Sequence, residues 1–591
     1  MILDKVNYPK DLKNLSIEEL TKLAGEIREI LIKKVLKVGG HLAPNLGMVE
    51  ATIAMHYVFD CPKDKIVFDI SHQSYVHKIL TGRKDGFTDE NNYKKYTSFT
   101  NPDEGEYDQF KTGHSSVSIS FATGLAIARD INKEKYNVIA VIGDGALTGG
   151  QAYEGLNNGG NFKSNFIVLV NDNEWSIAEN QGSLVRHLHD LRSSNGKSEN
   201  NIFKALGFDY IYVENGHDIN DLITAFKKVK DIDHPAVVHF HTTKGKGYEK
   251  AEKDPEHYHG ISPGDRPRFP PGQESYLTIT ADYLLKEVNK GNNIVVISAA
   301  TPLYSGLPPN IRKQLGEHYH DVAIAEQDAV SFISGIGKGK AKPILVVAST
   351  FIQRAYDQLV QDLSLNDNPA TIIVNGGGIT PASDTHIGLF DIPLFCSIPN
   401  MTYLNPTCKE EYLKMLDYSI NVNKKGPIAI RSPIKGFVST GVEDTTDYSI
   451  KNKFKLIHKG NKVAILGLGG FFQLASEVYE ELKSKNKIEG TLINPIFASG
   501  LDKELLEELK KEHSVIVSLE DGSLEGGFGQ RIAGFYGDSN VKVLLYGANK
   551  EFNNCVPMDV LLTRYRLKKD LIIEDIMKNI KLHLYNSIKK K

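Results

Sequence analysis

Val141-Ile-Gly-Asp-Gly-Ala-Leu-Thr-Gly-Gly150 is the stretch on which the fold turns. A β-branched, apolar run at 138–142 stops at Gly143-Asp144-Gly145, and a helix is expected to begin near Leu147. Glycine admits close backbone approach and dihedrals that other residues avoid. A strand end followed by a helix N-terminus offers free N–H groups to a phosphate. The carboxylate between the glycines can hold a divalent cation against that phosphate. A second apolar run at 165–170 leads into Asn171-Asp-Asn-Glu-Trp175. Between Gly145 and Asn173 lie 27 residues, room for one helix and a returning strand that would set Asn173 beside Asp144. Magnesium prefers oxygen donors in an octahedron. Asp144, the Asn173 side-chain oxygen and a nearby carbonyl, that of Trp175, would complete such a site with two diphosphate oxygens and water. A glycine turn followed by an Asn-rich turn is the plainer reading; two strand ends at this spacing weigh against it.

The same grammar repeats along the chain. Short apolar runs at 138–142, 166–170 and 237–241 form a first block, and 294–298, 344–348, 371–374 and 428–430 a second. A third holds 463–466, 490–493, 515–519 and 541–545. Continuous apolar strands separated by helical patterns predict an α/β fold: three consecutive domains with mostly parallel sheets covered on both faces. The first is expected over residues 1–265, the second over 276–435 and the third over 455–591. Pro263, Pro267, Pro270 and Pro271 mark one linker. The polar, aperiodic segment 432–460 reads as the other. Residues 192–201, all polar or glycine, read as a mobile loop. Gly467-Leu-Gly-Gly470 lacks the third glycine of a dinucleotide fingerprint and reads as a tight strand-to-helix turn.

Composition excludes some classes. The net charge of −3 gives no global basic field, so nucleic acid is not an expected partner. Lys589, Lys590 and Lys591 read as a solvated tail. No apolar run approaches the roughly 18–20 residues of a membrane span, and the first residues lack the apolar core of a signal peptide. The four cysteines, Cys61, Cys396, Cys408 and Cys555, form no CxxC pair, which suits a reducing compartment; a cytoplasmic location is expected. His257-Tyr-His259 has no third ligand nearby, which argues against zinc.

GDG followed by asparagine at this distance looks like the thiamine diphosphate signature. The surroundings narrow it: Gly40-His-Leu-Ala-Pro-Asn-Leu-Gly47, Asp69-Ile-Ser-His-Gln-Ser-Tyr-Val-His-Lys-Ile-Leu-Thr-Gly-Arg83, Gly113-His-Ser-Ser116, Ala323-Ile-Ala-Glu-Gln327 and Ser349-Thr-Phe-Ile-Gln-Arg-Ala-Tyr-Asp-Gln358. These strings resemble the 1-deoxy-D-xylulose-5-phosphate synthase family, in order and over nearly the whole chain. The resemblance implies a transketolase-like fold whose successive domains bind the diphosphate, bind the pyrimidine and close the chain. It implies thiamine diphosphate and Mg²⁺ as cofactors, and pyruvate and glyceraldehyde 3-phosphate as substrates. The products would be 1-deoxy-D-xylulose 5-phosphate, a precursor of isoprenoids, thiamine and pyridoxal, and carbon dioxide. A homodimer is implied too. Glu326, which follows the strand-like run 322–325, would bond the aminopyrimidine ring and Phe351 would stack on it. His72, Gly113, His114, Ser115, Gly145, Ala146, Asn173 and Tyr248 would touch the cofactor. His41, His72, His259 and His386 would move protons, since histidine exchanges them near neutral pH.

The acceptor end departs from the family pattern. Arginine is usual near Asn375, aspartate near Ala382, and tyrosine near Ala348; Asn375-Gly-Gly-Gly-Ile-Thr-Pro-Ala-Ser-Asp-Thr-His386 has none of these at the matching places. The usual Arg-Tyr-Pro-Arg-Gly reads Arg431-Ser-Pro-Ile-Lys-Gly436, Asp328 replaces a histidine, and the loop near 192–201 is short. Arginine grips phosphate through a fork that lysine cannot copy. Arg354, Arg431 and Lys435 remain as positive charge for a substrate. The cofactor and donor half is therefore expected intact and the acceptor half altered. The alternatives are a related ketol-forming enzyme with another aldehyde or ketose, and a non-catalytic paralogue; joint retention of Asp144, Asn173 and Glu326 weighs against the last.

Overall fold

The computed structural model describes residues 1–267, 274–433 and 437–589. Pro270, Pro271, Ile434, Lys435, Gly436, Lys590 and Lys591 lie outside the described residues, and with them part of the first linker, one candidate substrate cation and the terminal lysines. The described residues group into two compact units. The first holds residues 1–267 together with Val322–Ala325, and the second holds the rest.

The first unit is built on five parallel strands: β1 (Lys65–Phe68), β2 (Val138–Gly143), β3 (Phe166–Asp172), β4 (Asp209–Val213) and β5 (Pro235–His241), in the order β1-β2-β3-β5-β4. Successive side chains on a strand point to opposite faces, and here both faces are apolar. Ile139, Val141, Ile167, Leu169 and Val238 enter one core cluster. Val138, Ala140, Ile142, Val168, Val170 and Val237 enter another. A sheet covered twice needs strands without polar alternation, which is why these runs were readable.

The second unit carries two sheets. Six parallel strands form one: β6 (Ile294–Ser298), β7 (Tyr319–Asp321), β8 (Lys342–Ala348), β9 (Ala370–Asn375), β10 (Thr402–Leu404) and β11 (Pro427–Ser432), ordered β10-β11-β9-β8-β6-β7. The other contains β12 (Lys455–His458), β13 (Lys462–Gly467), β14 (Thr491–Asn494), β15 (His513–Ser523) and β16 (Lys542–Ala548), ordered β12-β14-β13-β15-β16. Only β12 is antiparallel in it.

Four expectations are corrected. The segment 432–460 is not all linker: β12 lies in it, half-exposed at a sheet edge and too polar to stand out. Residues 322–325 are not a strand; the strand is β7, just before them, and Ala323 has a φ of 62°. Residues 192–201 are not a free loop. The helix Ser183–Ser193 runs through Arg192, Ser198 N–H donates to Ser194 Oγ at 3.0 Å, and Asn201 Oδ1 caps the helix Ile202–Ala205. The helix expected near Leu147 starts at Asp144 as one turn, and a second, Gly150–Gly159, follows after Gly149.

Leu169 is fully buried at the centre of the first sheet. Leu169→Ala should destabilise the first unit by about 2–5 kcal/mol through lost transfer energy and a residual cavity. A lowered thermal transition in calorimetry would register it.

Candidate active site

β2 and β3 run side by side with Gly143 opposite Asn171, so their carboxyl ends deliver Asp144 and Asn173 to one place. Asn173 N–H donates to Asp144 Oδ2 at 3.2 Å, and Asn180 Nδ2 donates to the same oxygen at 2.9 Å. Gly145 N–H donates to Asp144 Oδ1 at 3.0 Å. Trp175 N–H donates to Asn173 Oδ1 at 3.2 Å, so two of the expected cation ligands share one turn and the third, Asp144, bonds to it. A Cβ on Gly145 would lie 2.8 Å from Ser176 Cβ and 3.0 Å from Asn180 Oδ1, which explains the glycine.

Asp144 is 2% exposed. Burial, and then the adjacent Asp172 carboxylate, push its carboxyl well above the ordinary range. A divalent cation would reverse that pressure, and the oxygen-rich donor set suits magnesium. Asp172 behaves oppositely. Burial pushes it up, but His239 and Arg192 outweigh burial and hold it far below the usual carboxylate range. His239 Nε2 lies 2.9 Å from Asp172 Oδ2, Tyr210 OH bonds His239 Nδ1 at 2.7 Å, and Arg192 pairs with both Asp172 and Glu174. Arg192, expected on a mobile loop, instead ties down the segment that carries Asn173.

A second clamp holds the loop with Gly113, His114 and Ser115. Asp69, at the end of β1, accepts from Ser116 N–H at 2.7 Å and Ser118 N–H at 2.8 Å. Ser116 Oγ donates to the Ala146 carbonyl at 2.8 Å, tying this loop to the GDG turn. His41, His72 and His259 form a ring cluster in the same unit. Their centroids are 5.3 Å apart for His41–His72, 5.8 Å for His41–His259 and 5.1 Å for His72–His259. Asn45 joins two of the loops: its Nδ2 donates to the His41 carbonyl at 2.9 Å and the His72 carbonyl at 2.8 Å. Tyr248 packs edge-on against Tyr258 at 5.6 Å.

In the second unit Glu326 opens the helix Glu326–Lys338 and is 3% exposed, not solvated. Burial raises its carboxyl, and Arg354, with Nη1 3.5 Å from Glu326 Oε2, pulls the other way. Phe351 meets His386 edge-on at 5.7 Å. Arg431 is a correction. It is 2% exposed, with Nε 2.6 Å from Asp391 Oδ2 and Nη1 paired to Asp521. Tyr403 OH donates to the same Asp391 oxygen. A guanidinium already balanced by two carboxylates is not a free phosphate grip.

Sequence reasoning passed over Asp69, Asn45 and Lys244. Asp69 and Asn45 stood inside quoted strings; Lys244 stood four residues before Tyr248. The signal was a polar residue at a strand end or between glycines, too common to single out.

Mostly parallel α/β sheets, the first with an acid and an amide brought together at adjacent strand ends, define the class of fold. The sequence matches the family model described as 1-deoxy-D-xylulose-5-phosphate synthase over residues 3–201 and 195–242. It matches that of the transketolase pyrimidine binding domain over 274–435, and that of the transketolase C-terminal domain over 452–569. It is 38% identical to 1-deoxy-D-xylulose-5-phosphate synthase of Clostridium botulinum (strain Alaska E43 / Type E3), covering 98% of this chain and 99% of that one. It is 40% identical to the synthase of Alkaliphilus oremlandii over 91% and 92% of the two chains. The chain therefore belongs to the 1-deoxy-D-xylulose-5-phosphate synthase family: a transferase of ketol units that uses thiamine diphosphate.

Removing one partner of a buried ion pair costs about 3–5 kcal/mol. Arg431→Met should therefore strongly lower the thermal stability of the second unit. An unchanged transition would mean that Arg431 is not the structural cation assigned here.

Proposed function

We propose that the chain decarboxylates pyruvate and joins the two-carbon fragment to an aldehyde, glyceraldehyde 3-phosphate, giving 1-deoxy-D-xylulose 5-phosphate and carbon dioxide. The observation that carries this reading is Asp144, a buried carboxylate meeting Asn173 at paired strand ends. On this reading Asp144, Asn173 and the Trp175 carbonyl hold Mg²⁺, and Gly113, His114, Ser115, Gly145, Ala146 and Tyr248 line the cofactor. Thiamine diphosphate supplies the nucleophilic carbon and the electron sink. Glu326 is assigned to the aminopyrimidine ring, where burial raises its carboxyl and so favours proton exchange with that ring. Phe351 packs on the same ring. His41, His72, His259 and His386 are assigned to proton movements at their ring nitrogens. Arg354 is kept as a substrate contact.

The altered acceptor end supports a second reading, with a different aldehyde. Arg431 is closed by Asp391 and Asp521, and Asn375 is buried at the end of β9. A homodimer belongs to the proposal as well. The helix Ser118–Ile131 leaves Phe121, Ile127 and Ile131 exposed, and exposed apolar side chains are a feature of interfaces. A cytoplasmic location is proposed from the cysteines, which are all free, and from the described residues, in which no helix is long and apolar enough to cross a membrane.

The deciding experiment supplies thiamine diphosphate, Mg²⁺, pyruvate and a panel of aldehydes, with products identified by mass spectrometry. Release of carbon dioxide with a five-carbon phosphorylated ketose is expected. Carbon dioxide release with glyceraldehyde 3-phosphate left unused would favour the second reading, and no consumption of pyruvate would refute both. Glu326→Gln should lower kcat by about 10²–10⁴-fold, the range for losing a positioned proton-transfer group; undiminished turnover would remove Glu326 from that role.

A further inference from the structure

Two histidine-bearing loops meet on one side chain. Asn45 lies in the one-turn helix Ala43–Leu46 and is fully buried. A primary amide has two N–H donors on one nitrogen and an acceptor oxygen. Both donors are spent on carbonyls: Nδ2 donates to that of His41 at 2.9 Å and to that of His72 at 2.8 Å. The oxygen is used as well, since Tyr75 N–H donates to Asn45 Oδ1 at 2.9 Å. Tyr75 closes the circuit, because His41 N–H donates to its hydroxyl at 3.3 Å. His41 is therefore held at both of its backbone groups. One residue earlier, Gly40 exchanges two backbone hydrogen bonds of 3.0 Å with Ile261, which ties in the segment that carries His259.

The loop leading into His72 would not keep its shape unaided. Ile70 and Ser71 have φ values of 57° and 69°, left-handed backbone that side chains rarely adopt and a β-branched one resists. Such conformations persist only where the surroundings over-determine them. Before His72, Thr100 N–H donates to Ser71 Oγ at 2.9 Å. After it, Asn45 holds the His72 carbonyl and the Tyr75 N–H. Residues of similar size cannot copy these bonds. An aspartate carboxylate has the same shape but donates nothing, and serine has one proton for two carbonyls. At the rings, the result is a centroid separation of 5.3 Å between His41 and His72.

We propose that Asn45, backed by the Tyr75 hydroxyl, is the positioning residue of the histidine cluster: its amide fixes the spacing at which His41 and His72 face each other. Its side-chain nitrogen and oxygen are both engaged by protein groups, so it acts through the two histidines and not on a substrate. The proposal rests on the assignment of these histidines to proton movements and names what holds the pair in place.

The test follows carbon dioxide release from pyruvate by the full chain with thiamine diphosphate and Mg²⁺. Asn45→Ser and Asn45→Asp are made in the wild-type chain and again in His72→Ala, and thermal unfolding of each variant confirms the fold. A reacting group misplaced by about 1 Å costs up to about 10²-fold in rate, so both variants are expected to lower kcat by at least about tenfold. In His72→Ala, where the group being positioned is gone, the same substitutions are expected to cost less than about threefold, because residues that act as one unit are not additive. A merely structural asparagine would cost the same factor in both backgrounds. Tyr75→Phe keeps the ring and removes the acceptor of His41 N–H; a loss of about threefold in kcat is expected from one neutral hydrogen bond. No release by the wild-type chain, or an unchanged kcat in His72→Ala, would overturn the reading on which this inference rests, and the inference with it. A lowered kcat in His72→Ala beside wild-type kcat in both Asn45 variants, or an equal factor in both backgrounds, would overturn this inference alone. Wild-type kcat in Tyr75→Phe would do so even if neither Asn45 variant folded.

Discussion

A carboxylate with almost no access to water organises this molecule. Asp144 sits where β2 stops, and every nearby element is arranged around the cost of keeping it there. Backbone and amide donors from Gly145, Asn173 and Asn180 satisfy its oxygens. The glycine after it exists because the Ser176–Asn180 turn leaves no room for a side chain. The next carboxylate along, Asp172, is neutralised by Arg192 and His239, so that two acids this close do not both remain uncompensated. Among the described residues Asp144 is thus a carboxylate without a cationic partner of its own at a fixed place, the feature on which the proposed Mg²⁺ site rests.

The chain reads clearly where physics leaves one solution. Strands covered on both faces must be apolar throughout, so β2, β3, β6, β8 and β13 were visible as runs, and their parallel pairing followed. Most of the edge strands were not. β4 and β12 are half-exposed, β7 and β10 are three residues long, and a polar edge strand has the composition of a loop. The segment around Arg192 misled for a related reason. Its residues are polar because one of them bonds two carboxylates, and composition cannot tell a solvated polar residue from an ion-paired one.

The site divides in the same way. Asp144 and Asn173 could be brought together by counting residues between two strand ends. Glu326, Phe351 and the histidines could be assigned only through resemblance, because no spacing rule links positions hundreds of residues apart. Asp69, Asn45 and Lys244 act through backbone atoms or through other side chains, and such partnerships leave no pattern in sequence. Arg431 shows the converse hazard: a basic residue in an informative string was read as a ligand, yet Asp391, Asp521 and Tyr403 enclose it.

That enclosure bears on how the acceptor end could change over time. A Cβ at Gly377 would fall 2.6 Å from Asp391 Oδ2 and 2.8 Å from Arg431 Nε, and one at Gly378 would fall 2.4 Å from Asp521 Oδ2. A side chain at either position would therefore collide with the very acids that Arg431 requires. Glycine run and ionic cluster are mutually entrenched: neither can drift without the other. The acids that hold Arg431 thus also set the size limit at 377 and 378, so the shape of this loop is fixed by charge pairing rather than by packing.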